Sequence, residues 1–110
     1  MPTSSKLDRA LSPSAEAELR RLGADIAAAI KVRETYQGFA DRIGVSRTTL
    51  RKLIGGDPGV SLGTLVGALD ALGLLDHLQE VATPARDSLG LALRLQSKAP
   101  DVGLSMDRDF

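Results

Sequence analysis

Between Phe39 and Leu53 the chain reads F-A-D-R-I-G-V-S-R-T-T-L-R-K-L, a run in which small and apolar residues are interleaved with bases. Ala40, Gly44, Val45, Leu50 and Leu53 are its anchors, and Arg42, Arg47, Arg51 and Lys52 carry positive charge between them. The spacing predicts two short helices joined by a tight turn, with bases left on the outside. A helix-turn-helix needs that chemistry to lay its second helix in the major groove of DNA.

The charge of the whole chain points the other way, since 14 Lys and Arg balance 14 Asp and Glu. Its distribution reverses that reading. From Lys31 to Lys52 six bases (Lys31, Arg33, Arg42, Arg47, Arg51, Lys52) stand against two acids (Glu34, Asp41), a local +4. The remainder carries the compensating −4. Phosphate attraction acts over about 8–10 Å at physiological salt, so a basic patch on a neutral protein remains a nucleic-acid signal. A solvated charged face is the competing reading of the same residues.

Other chemistries lack their residues. There is no cysteine, which excludes disulfides, thiol catalysis and cysteine-ligated zinc. His77 is the only histidine, so a histidine-rich metal site is excluded and no cofactor is expected. Neither a nucleophile elbow nor a phosphate-binding loop of the G-x-x-x-x-G-K type is present, and catalysis is not expected. Residues 1–14 lack the apolar run of a secretory signal, and no apolar stretch approaches the ~20 residues that span a bilayer. A soluble, cytoplasmic protein is the expectation.

The elements that must position the bases follow from the apolar pattern. An aromatic content of 3% leaves a core of Leu, Ile, Val and Ala, which suits packed helices better than a sandwich of strands. Ser12 caps a first helix with Pro13 in its first position, and Leu19, Leu22, Ile26 and Ile30 recur at helical steps to about Arg33. Thr35 caps a second helix that ends near Ile43, with Phe39, Ala40 and Ile43 inward. Gly44 makes the turn and Val45 plugs it. Ser46 caps a third helix, Arg47 to Ile54, which buries Leu50 and Leu53 and leaves Arg47, Thr48, Arg51 and Lys52 outside. After the loop Gly55-Gly56-Asp57-Pro58-Gly59, Ser61 caps a fourth helix stopped by Gly73, and a shorter fifth spans about Leu75 to Val81. The fold class expected is all-α, a bundle of five helices.

Leu89, Leu91, Leu93 and Leu95 then alternate with Gly90, Ala92 and Arg94. That period predicts a short strand able to pair with a second subunit or another sheet edge, with a short helix or irregular arm as the equal alternative. These four leucines are the expected dimer or partner contacts. The chain thus divides into a flexible N-terminal segment (residues 1–14), a helix-turn-helix domain (15–82), a C-terminal arm (83–98) and a disordered tail (99–110).

At these residues the chain resembles the Xre-type helix-turn-helix family, which includes the lambdoid phage repressors. Ala40 matches the alanine that lets the third helix cross closely, and Gly44 matches the glycine of the turn. Phe39, Ile43, Val45, Leu50 and Leu53 occupy the family's apolar positions, and the match runs from roughly Leu19 to Leu75. The resemblance implies a lambda-repressor-like DNA-binding bundle. It implies that Arg47 and Thr48 reach base edges, with Arg51 or Lys52 one turn further on. Arginine donates two hydrogen bonds to guanine O6 and N7, a pairing worth ~1–3 kcal/mol of discrimination. Tyr36 and Gln37 fall where the second helix meets the DNA backbone, and either could be the phosphate contact. Ser61 opens a helix whose positive dipole end suits a phosphate, and Thr49 is either a phosphate contact or a support for the cap. Where many relatives pair an arginine late in the first helix with a glutamate ending the third, this chain has Ile30 and Ile54, an apolar pair expected to touch.

The run from Gly56 to Leu65, with Ala71-Leu72-Gly73-Leu74 and Pro84-Ala85-Arg86-Asp87, is similar to HipB-like antitoxins. These are small Xre-type repressors encoded beside a HipA-like serine/threonine kinase toxin. The similarity implies a homodimer on a palindromic operator of double-stranded DNA, which represses its own operon and holds the kinase inactive. Solitary Xre-type regulators carry the same segment, and a module that binds only protein is the remaining alternative.

Overall fold

Hydroxyl side chains start each of the first four helices. The structure, a computed structural model, describes residues 10–97, so the expectations for residues 1–9 and 98–110 lie outside the described residues. Within it run α1 (Pro13–Lys31), α2 (Tyr36–Ile43), α3 (Arg47–Ile54) and α4 (Leu62–Leu72). Ser12, Thr35, Ser46 and Ser61 each accept a hydrogen bond from the amide three residues on, at 3.1, 3.0, 3.0 and 3.0 Å. Each satisfies one of the amides that a helix start leaves free.

Helix ends are fixed by the backbone. At Gly44, with φ of 75°, the amide of Val45 reaches back to the carbonyl of Ala40 at 3.0 Å. That left-handed conformation strains any residue with a Cβ, which is why a glycine stands there. Helix α1 stops at Lys31, short of the expected Arg33, where the Arg33 amide bonds the Ile30 carbonyl three residues back at 2.8 Å instead of continuing the four-residue ladder. Arg33 then donates to the carbonyls of Ala29 (2.8 Å) and Leu72 (3.4 Å), near the ends of α1 and α4 where a cation is favoured.

All four helices supply the core: Ile26 and Ile30 from α1, Phe39 and Ala40 from α2, Leu50 and Leu53 from α3, and Ala68, Leu69 and Leu72 from α4. Burying each large side chain stabilises by roughly 1.5–3 kcal/mol. Helix α1 packs on α2, α3 and α4, and α2 packs on α3 and α4. Gly23 permits the approach of α1 to α3. A Cβ there would lie 2.5 Å from the Ile54 carbonyl oxygen and 2.9 Å from that of Leu53. The backbone of Ile54 therefore meets α1 at Gly23, about 10 Å along the helix axis from Ile30. Ile30 is fully buried and Ile54 half-buried.

This packing unit extends to Leu75, and a second begins at Asp76. The expected fifth helix is a 3-10 turn, Leu75–Glu80, followed by a second such turn, Pro84–Arg86, and by α5 (Ser88–Ser97). Arg86 is paired with Glu80 at 2.7 Å. No strand occurs among the described residues. The leucine alternation belongs to a helix. A lone strand leaves its amides and carbonyls unpaired, whereas a helix satisfies them internally. Asp87 supplies the start, its carboxylate accepting from the Gly90 amide at 2.9 Å and its carbonyl from that of Leu91 at 2.9 Å. In a helix the four expected contact residues do not form one row: Leu89 and Leu93 share one side, Leu91 and Leu95 the other. All four are exposed. Among the described residues no helix is long and apolar enough to cross a membrane.

Candidate nucleic-acid interface

The basic segment separates into structural and free cations. Arg42 donates to the Glu34 carboxylate at 3.1 and 2.5 Å while its guanidinium carbon lies 5.4 Å from the centre of the Phe39 ring. It ties the α1–α2 connection to α2, as Arg33 ties α1 to α4. Among the described residues the ion pairs join Arg21 to Glu18 and Asp25, Arg42 to Glu34, and Arg86 to Glu80. Arg47, Arg51 and Lys52 take no part in them. All three are exposed, as is Thr48.

Helix geometry sorts these four side chains into two stripes. With the buried Leu50 at zero, successive steps of about 100° put Ile54, Arg47 and Arg51 at about 40°, 60° and 100°. Thr48 falls at about 160°, directly away from the core side set by Leu50 and Leu53, and Lys52 at about 200° lies on the flank away from Arg47 and Arg51. The first stripe faces α2. Arg47, Leu50, Arg51 and Ile54 line a cleft of about 200 Å³ together with Tyr36 and Gln37. Two residues expected at the backbone are thus beside two of the four expected at base edges. Thr48 and Lys52 stand outside that cleft.

The remaining expected contacts are occupied in capping. The Ser46 hydroxyl, which accepts from the Thr49 amide, also donates to Thr49 Oγ1 at 3.1 Å. Thr49 is half-buried, in the geometry of a support for the cap. Ser61 repeats the arrangement with Thr64, at 3.0 Å to the amide and 3.0 Å to the hydroxyl. It is exposed, and it borders a different cavity of about 220 Å³, walled by Leu19, Leu22, Leu53 and Leu65.

Sequence reasoning overlooked Asp41. Gln37 Nε2 donates to Asp41 Oδ1 at 2.9 Å. A carboxylate only accepts, so this bond sets which way the Gln37 amide is turned. The signal was available: a Gln and an Asp four apart on one helix. His77 lies exposed in the first 3-10 turn, and among the described residues no group of His, Asp and Glu could hold a metal ion.

Comparison of the chain with known protein families, with curated proteins and with solved structures found no match.

Proposed function

We propose that this chain is a sequence-specific repressor that binds double-stranded DNA through a lambda-repressor-like helix-turn-helix, with α3 as its reading helix. One observation carries the reading. Arg47, Arg51 and Lys52 are exposed on α3 without an acid partner among the described residues, as is Lys31 at the end of α1, while Arg33 and Arg42 of the same basic segment are engaged internally. The Gly44 turn and the buried pair Phe39 and Ala40 support the reading, because they hold α2 and α3 as one rigid unit behind the bases.

The finer reading is that of a cytoplasmic, homodimeric antitoxin partnered by a HipA-like kinase and acting on a palindromic operator. It rests on the resemblance in the Gly56–Leu65 run and on the exposed leucines of α5, which offer apolar surface to a partner on two sides. Selection of bound duplexes from a random pool, followed by footprinting, tests the DNA reading. Two related half-sites about 34 Å apart are expected for a dimer. A single unsymmetric footprint contradicts the dimer, and recovery of no preferred sequence contradicts the repressor. Co-purification of an inactive serine/threonine kinase with this chain tests the toxin partner.

A further inference from the structure

We propose that the cleft between the start of α2 and the flank of α3 holds a DNA phosphodiester between Arg47 and Arg51, leaving base reading to Thr48 and Lys52. The proposal rests on the DNA-binding reading above and deepens it. No acid lines the cleft, and its floor, Leu50 and Ile54, is apolar. Its polar wall is Tyr36, Gln37 and the two guanidinium groups, a set dominated by donors. Phosphate oxygens only accept, and a planar guanidinium matches them with paired bonds. Two arginines one turn apart repel each other, and an anion between them removes that repulsion. Asp41, the nearest acid of α2, already accepts from Gln37, whose amide nitrogen keeps a second hydrogen for the anion.

Direction separates the two roles. Base edges lie at the floor of a major groove about 8.5 Å deep, opposite the core side of an inserted helix. Thr48 points that way and Lys52 flanks it on the side away from α2, whereas Arg47 and Arg51 line the cleft on the α2 side. Lysine can donate to the O6 and N7 of guanine, and the threonine methyl suits the methyl of thymine.

The test measures binding of the full chain to its selected duplex and to an unrelated duplex between about 50 and 200 mM salt. All four positions are exposed, and thermal melts confirm that each variant is folded. Arg47→Ala and Arg51→Ala should weaken both duplexes by the same factor, each lowering the salt slope by about 0.9. Lys52→Ala should instead reduce the preference for the selected duplex about tenfold. A change of base preference at one position in Arg47→Ala or Arg51→Ala overturns the proposal while leaving DNA binding intact. A wild-type chain with no salt-dependent duplex binding overturns both readings. Inorganic phosphate, compared with chloride at equal ionic strength, should displace DNA no better. Selective displacement would assign the cleft to a free oxyanion and overturn the phosphodiester.

Discussion

Gly23 and the Ile54 carbonyl meet so closely that a single added methyl group has no room: its carbon would sit 2.5 Å from that oxygen. The partner is backbone, which cannot rotate aside. Gly23→Ala raises helix propensity by about 0.5–1 kcal/mol, yet overpacking costs about 1–3 kcal/mol. The net expectation is loss of stability, read as a lower urea midpoint at unchanged slope. An unchanged or raised midpoint would show that α1 and α3 do not cross at this point.

Arg42 is expected to behave unlike the other bases of its segment. Its charge is neutralised by Glu34 and its guanidinium covers the Phe39 ring, so Arg42→Ala should cost about 1 kcal/mol or less in a partly exposed setting. The salt slope of DNA binding should stay at the wild-type value. A slope lowered by about 0.9 would mean that Arg42 leaves Glu34 for a phosphate.

Ser46 separates stability from recognition. Ser46→Ala removes the cap of α3 and should cost about 0.5–2 kcal/mol. Ser46→Asp keeps a capping oxygen and should retain most of that stability. It also places a negative charge beside Arg47 and should weaken DNA binding at every sequence tested. Equal DNA affinity in Ser46→Asp and wild type would put the start of α3 away from the phosphates.

The Glu18 carboxyl is held below its ordinary value of 4.5 first by a hydrogen bond from Arg21 and then by the charge of that arginine. A carboxyl with a lowered folded pKa contributes stability above its unfolded value and loses it as pH falls through the folded one. The window therefore opens below about pH 4.5. Both side chains are exposed, so the contribution is small. Glu18→Gln should flatten the fall of melting temperature in that window and leave DNA binding untouched.

Helix starts were legible because hydroxyl caps act on amides three residues away, an interaction contained in the local sequence. The Gly44 turn was legible for the same reason. Gly23 was not, since a glycine within an Ala-rich helix reads alike whether a backbone or solvent fills the space beside it. Arg33 and Arg42 counted only as charge, because their partners Leu72 and Glu34 are brought near by tertiary packing and by the turn after α1. Leucines at every second position fit a strand or a helix bearing them on two sides, and the Asp87 cap belongs to the helix. The outward bases of α3 were read correctly as exposed, but their division between cleft and outer face depends on where α2 lies.

The central claim is that the free bases of α3 bind duplex DNA, and its most direct measurement is affinity against salt for wild type and for Arg47→Ala, Arg51→Ala and Lys52→Ala combined. Steep salt dependence is expected in the wild type and a slope lower by about 2 in the combined variant, with affinity for the selected duplex lost. Unchanged affinity and slope in a folded triple variant would contradict it.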